Sequence, residues 1–161
     1  MHNSTKHIAK SIGISLFLIF SILITSYAYS EQSSEDIIKG RKALFSKNYK
    51  TAKRVQSLSA NADFDEAKIL MIEMSKNYEV LLVLFPENSK EGFKTRSLPT
   101  IWEDKNTFDA LMKKSSEDMI KLTSAIETTD DINGTIDKLM WGNCKACHGK
   151  YRKKLIKEIQ S

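Results

Sequence analysis

The chain of 161 residues is poor in the types that punctuate or cross-link a fold: six glycines, two prolines, two cysteines and three histidines. Pro86 and Pro99 are the only prolines, and no clean alternation of apolar and polar residues occurs. Strand-rich architectures are thereby excluded; Lys, Glu, Ala, Leu and Ile dominate, and the chain reads as all-α. A structural zinc site wants four Cys or His ligands. His2 and His7 fall in an N-terminal segment expected to be removed, which leaves only Cys144, Cys147 and His148. A thioredoxin-like redox pair would need βαβ surroundings, and none are present. Like charges never run to a block of five, which argues against nucleic acid as a partner. There is no internal repeat or low-complexity segment.

What is present centres on Cys144-Lys145-Ala146-Cys147-His148. Cys-x-x-Cys-His is the attachment signature of c-type haem, in which two thiols add across porphyrin vinyls and the imidazole binds iron. The spacing has a geometric reason. Residues three apart on a helix lie one above the other, so Cys144 and Cys147 can reach two vinyls on one haem edge. His148, four residues after Cys144, shares that face and is the expected iron ligand.

The N-terminus points to export. Lys6 and Lys10 precede an apolar stretch, Ile12 to Ile24, and small residues follow at Thr25-Ser26-Tyr27-Ala28. This predicts a signal peptide over residues 1–28, cleaved after Ala28 or Ser30. The rival is an uncleaved anchor, but a span needs about 20 apolar residues, and Ser15, Ser21 and Thr25 interrupt this one. Signal and haem motif together predict the periplasm, with no membrane attachment after cleavage. The remainder, 29–161, is one domain by length. It holds 23 basic against 20 acidic residues, so its formal charge is mildly positive.

Four helices are expected. The first starts near Ser34, an N-cap candidate followed by Glu35 and Asp36, with an inward stripe of Ile38, Arg41, Phe45, Asn48, Ala52 and Val55. Arg41 on that stripe either slides aside to snorkel or meets a buried anion, for which a haem propionate would serve. After a break at residues 59–63, the second helix runs from Asp65 to Leu84, its stripe taking Ile69 or Leu70, Met74, Asn77 or Tyr78, Leu81 and Phe85. Pro86 ends it. Pro86 to Pro99 is a long loop. The third helix opens at Thr100, where Glu103 completes capping-box spacing, and continues through Phe108, Met119 and Ile126. The fourth spans about Asp131 to Glu158 and carries the haem motif and Tyr151. Together these predict an antiparallel four-helix bundle enclosing a covalently bound haem.

Four segments resemble the class II cytochromes c, most closely cytochrome c′. They are Ile37-Ile38-Lys39-Gly40-Arg41-Lys42, Leu84-Phe85-Pro86-Glu87, Leu98-Pro99-Thr100-Ile101-Trp102, and Cys144 through Arg152. The resemblance covers nearly all of Glu35 to Leu155. It implies one haem c anchored by Cys144 and Cys147, with His148 as proximal ligand and Arg41 near a propionate. Arg152, one turn beyond His148, would flank the proximal face, unless it is simply part of the solvated tail Arg152-Lys153-Lys154. In such proteins the first helix crosses the distal face, and a residue one turn after the arginine decides ligation; here that is Phe45, which cannot bind iron. Two departures stand out. Gly149 replaces a common acidic residue, and Gly40 replaces a common aromatic.

The function expected is binding of a diatomic gas, nitric oxide or carbon monoxide, at a five-coordinate high-spin iron that can also cycle between Fe(III) and Fe(II). The alternative is a low-potential electron carrier with a six-coordinate low-spin haem. The redox partner protein is unknown, and relatives often form a homodimer through their first two helices. An enzyme is not expected: with His148 taken as ligand, no imidazole remains for acid–base work.

Overall fold

The computed structural model describes residues 32–154. The expected signal peptide and the expected end of the last helix beyond Lys154 lie outside those residues. The first helix, α1 (Ser34–Ala60), begins one residue earlier than anticipated in its capping. Ser33 is the N-cap, its Oγ accepting from the Asp36 amide at 3.1 Å, and Glu35 and Asp36 favour the positive helix end. Ile38, Arg41, Asn48, Ala52, Val55 and Leu58 face inward. Ala62, at φ 60°, turns the chain into α2 (Phe64–Leu82). Here Ala67, Met71, Met74, Tyr78 and Leu81 are buried. Leu70 rather than Ile69 packs on the core, since Ile69 is 66% exposed.

The long loop after Pro86 contains only a 3₁₀ turn, Glu87–Ser89. The third bundle element is then broken in two, contrary to the continuous helix expected. A single turn, α3 (Thr100–Glu103), precedes α4 (Lys105–Ala125), and Asp104 between them has φ −124° and ψ 49°. Asp104 is drawn out of the helix by tertiary partners: its carboxylate accepts from Lys150 Nζ at 2.6 Å and from Tyr151 Oη at 3.5 Å. The capping box does not form either. Pro99 is the N-cap of α3, and the Thr100 hydroxyl instead donates to the Lys150 carbonyl.

The fourth element comprises α5 (Ile132–Ile136), a π turn over Asp137–Trp141, and α6 (Gly142–Tyr151). It stops at Tyr151, well short of Glu158. The loop before α3 captures its end: Leu98 N donates to Tyr151 O at 3.0 Å, and Lys153 N to Arg96 O at 2.8 Å. Ser97 and Arg152 thus form an antiparallel bridge that satisfies the Tyr151 carbonyl, one of those a helix end leaves open. The result is the expected all-α antiparallel four-helix bundle. No helix among the described residues is long and apolar enough to cross a membrane.

The π turn immediately precedes the cysteines. One extra residue in a helical turn rotates everything after it by about 100°, so this turn decides which face of α6 carries the motif. Asn143 locks it. Its Nδ2 donates to the Leu139 carbonyl at 2.8 Å within the turn and to Asp118 Oδ2 on α4 at 2.9 Å. Asp118 is only 2% exposed and also accepts from Lys114 and, at 3.3 Å, from Lys121. Burial opposes its charge, yet Lys114, Asn143 and Lys121 together hold its pKa below the usual 3.8.

Two outcomes follow from this packing. A methyl group added at Gly40 meets no atom within 4 Å. Gly40→Ala is therefore expected to stabilise α1 by about 1 kcal/mol, read as a higher denaturant midpoint; an unchanged or lower midpoint refutes this. Asp118→Asn should cost about 2 kcal/mol at neutral pH, as a hydrogen-bonded charge is lost. Because the folded-state pKa is depressed, that stabilisation exists above pH 3.8 and fades as acid protonates the carboxylate. The gap between wild type and variant should accordingly shrink on acidification through that range.

Candidate haem site

The inward stripes of α1, α2, α4 and α6 do not close on one another. They leave a cavity of about 750 Å³, within the roughly 300–1,000 Å³ usual for cofactor sites. Arg41, Phe45, Cys144, Cys147, His148 and Arg152 all line it. Every site residue nominated from the sequence is therefore brought to one place, by α1 and the end of α6. Phe85 and Phe108 add apolar wall. They form an edge-to-face series with Tyr151, at 4.7 Å and 5.1 Å between ring centroids.

The π turn presents both cysteines to this cavity. Burial raises the pKa of Cys144, and burial together with the neighbouring Cys144 pushes Cys147 up to about 12. Such surroundings disfavour thiolates, and with them zinc ligation or a reactive nucleophile. An uncharged thioether pays no such penalty. Among the described residues no three His, Cys, Asp or Glu side chains converge on a metal-ion site. Tyr78 Oη lies 3.9 Å from Cys144 Sγ, and burial raises the phenol pKa further. The sequence offered Asn77 or Tyr78 for the core stripe and did not indicate this contact.

His148 is open to the cavity on one side. Burial lowers its pKa, assisted by the charges of Arg152 and Arg96, so the ring is neutral, the form that binds iron. Arg152 Nη1 approaches His148 Nδ1 at 3.4 Å.

Arg41 does not snorkel. It is 2% exposed, and its guanidinium donates to Leu84 O at 3.2 Å, Ser89 Oγ at 2.8 Å, Ser89 O at 2.9 Å and Thr95 Oγ1 at 2.7 Å. It also sits 4.7 Å from the Phe85 ring centroid. All four acceptors are neutral. Burial lowers the pKa to about 10, which leaves a full positive charge at neutral pH with no carboxylate paired to it among the described residues. A half-open, largely apolar slot, two uncharged thiols, a neutral imidazole and an uncompensated buried cation suit a flat apolar ring that bears carboxylates.

Sequence reasoning missed the cavity's other contributors. Asn143 carried no apolar periodicity, and Lys42, Lys94 and Arg96 resembled any solvated lysine or arginine. Met112 of α4 also lines the cavity.

A model of the family described as Cytochrome C' matches residues 36–152. A cytochrome c′ from Rhodopseudomonas palustris is 33% identical over 122 residues, covering 74% of this chain and 83% of that one. The crystal structure of cytochrome c′ from Rubrivivax gelatinosus superposes with a TM-score of 0.64 at 25% identity, covering 76% of this chain and 98% of that one. A nitric oxide complex of the L16V mutant of cytochrome c prime from Alcaligenes xylosoxidans shares the fold, with a TM-score of 0.65 at 21% identity over 77% and 99% of the two chains. The matched span is the one that folds around the cavity, and this chain belongs to the cytochrome c′ family, binding one haem c covalently through Cys144 and Cys147.

Proposed function

We propose that this is a periplasmic monohaem protein, exported by a signal peptide over residues 1–28. Its iron, held by His148 alone, is five-coordinate and high spin. It takes up nitric oxide or carbon monoxide and undergoes Fe(III)/Fe(II) change. The haem supplies the iron and the electron; the chain supplies orientation, exclusion and charge. Cys144 and Cys147 would hold the ring, His148 would ligate the iron, and Arg41 and Arg152 would meet the ring's carboxylates or its proximal edge. The nitric oxide complex of the Alcaligenes xylosoxidans relative is in keeping with this ligand class.

The observation that carries the reading is Phe45. It projects into the cavity from α1, packing edge-on against Phe85 at 6.4 Å. α1 packs chiefly on α2, whereas α4 packs directly on α6. A ring that cannot ligate therefore stands on the helix that does not pack closely with the one bearing His148. Such a ring would leave room beside the iron for a small ligand only.

A specific observation keeps the six-coordinate alternative in play: Met112 is the one methionine among the cavity's lining residues. A thioether ligand there would make a low-spin carrier. An optical spectrum decides between them. The ferric protein is expected to be high spin and the ferrous protein to bind carbon monoxide; Met112→Leu should leave both unchanged, and Phe45→Ala should accelerate ligand entry. A ferric sulfur–iron band abolished by Met112→Leu, or ferrous protein that refuses carbon monoxide, would overturn the five-coordinate reading.

A homodimer through the first two helices is part of this proposal. Ile69, Ile72, Val80 and Val83 form an apolar row on α2, with exposures of 66%, 40%, 49% and 75%. Rows of this kind mark association faces. Sedimentation is expected to show a dimer that Val83→Asp dissociates; a wild-type monomer at high concentration would refute it.

A further inference from the structure

Between Phe45 and Ala52 on the inward stripe of α1 stands a primary amide, Asn48, only 3% exposed. Burying such a group is costly unless both its arms are matched, and here one arm is. Asn48 Oδ1 accepts from Asn77 Nδ2 on α2 at 2.8 Å. Asn48 Nδ2 has no hydrogen-bond partner among the described residues. Of the fully buried side-chain nitrogens and oxygens that line the haem cavity, it is the one left in that state. Arg41 has spent its donors on Leu84, Ser89 and Thr95, and the Ser115 hydroxyl donates to the Leu111 carbonyl.

The amide is planar, so its oxygen and nitrogen leave the side chain on opposite arms. Asn77, which holds the oxygen, is not among the lining residues of the cavity, whereas Asn48 and Phe45 both are. With the oxygen turned to α2, the nitrogen is left on the cavity side. Tyr78, another lining residue, does not take up the donor; its Oη lies 3.9 Å from Cys144 Sγ. It does register the amide. Asn48 works against the burial that raises the phenol pKa, as an N–H group on that side would.

We propose that Asn48 Nδ2 is a hydrogen-bond donor to the gas molecule held at the iron, favouring nitric oxide over carbon monoxide. The inference rests on the gas-binding reading given above. Nitric oxide carries an extra electron in an antibonding orbital shared with its oxygen, so its outer atom is the better acceptor once bound to Fe(II). Phe45 and Asn48 are three residues apart on one helix and share a face. The ring would limit size, and the amide would test for an acceptor.

The test uses haem-loaded ferrous protein, with carbon monoxide as an infrared probe. A donor beside bound carbon monoxide lowers its stretching frequency. Asn48→Leu, of similar volume but without the N–H groups, is expected to move that band upward. It should weaken nitric oxide binding roughly fivefold, with a smaller loss for carbon monoxide. The single change strips Asn77 of its acceptor. The double variant Asn48→Leu/Asn77→Leu, in which both partners become apolar, should spare the fold and show the same shift. A band that stays put or moves down would overturn the proposal and reduce Asn48 to a brace between α1 and α2. Equal loss of affinity for both gases would overturn it too. Wild-type ferrous protein that refuses carbon monoxide would instead overturn the gas-binding reading itself.

Discussion

The buried charge of Arg41 is the constraint around which the haem cavity is built. A cation taken out of water costs several kcal/mol unless it is well coordinated, and Arg41 recruits acceptors from residues 84, 89 and 95 to meet that cost. Those bonds tie α1 to a loop that would otherwise have little to hold it. Phe85 lies beneath the guanidinium and meets Phe108 edge to face, while Trp102 Nε1 donates to the Phe85 carbonyl at 3.0 Å. One charge therefore organises the loop, the aromatic wall and the start of α3. None of its acceptors is an anion, so its charge remains available to the carboxylates of the cofactor.

On the opposite side the problem is one of aim. Thiols three residues apart reach two vinyls only if their helix face is turned toward the ring. The π turn supplies the rotation, and Asn143 with Asp118 secures it from α4. Asp118 is a buried carboxylate whose partners lie on its own helix and on the fourth bundle element, so strain in the turn is opposed by a charge that is hard to displace. The same element ends at Tyr151, where the chain pairs with the loop that Arg41 holds. Both walls of the cavity are thus fastened to one loop.

Much of this was legible in the sequence, for physical reasons. Covalent attachment demands a fixed spacing, so Cys144, Cys147 and His148 could be read directly. The 3.6-residue period placed Arg41, Phe45 and Asn48 on one inward face, and the structure puts all three on the cavity wall. What could not be read was decided by distant partners. Nothing local to Thr100 or Glu103 reveals that Lys150 and Tyr151 will draw Asp104 out of helical geometry. Nothing in Asp137–Trp141 forecasts a π turn, since its securing carboxylate lies on α4. The end at Tyr151 depends on backbone groups of residues 96 and 98. The free arm of Asn48 was invisible because its other arm is claimed by Asn77 on α2, a pairing no local pattern reveals.

Gas uptake and redox change, the two roles proposed for the iron, draw on different physics at one opening. A diatomic gas is neutral and small, so the field of Lys42, Lys94 and Arg152 scarcely acts on it. Its entry is governed by the volume Phe45 leaves beside the iron, and its hold there by the hydrogen bond Asn48 can give. An electron needs no passage past Phe45, since it can cross at the haem edge. Size therefore sorts the ligand, and hydrogen bonding selects among ligands of one size. On this reading the distal ring can be reshaped without disturbing electron exchange, and Lys42 and Lys94 at the rim can be recharged without altering gas affinity. That independence is possible because Phe45 lies on the inward stripe of a helix, while Lys42 and Lys94 are carried at the rim.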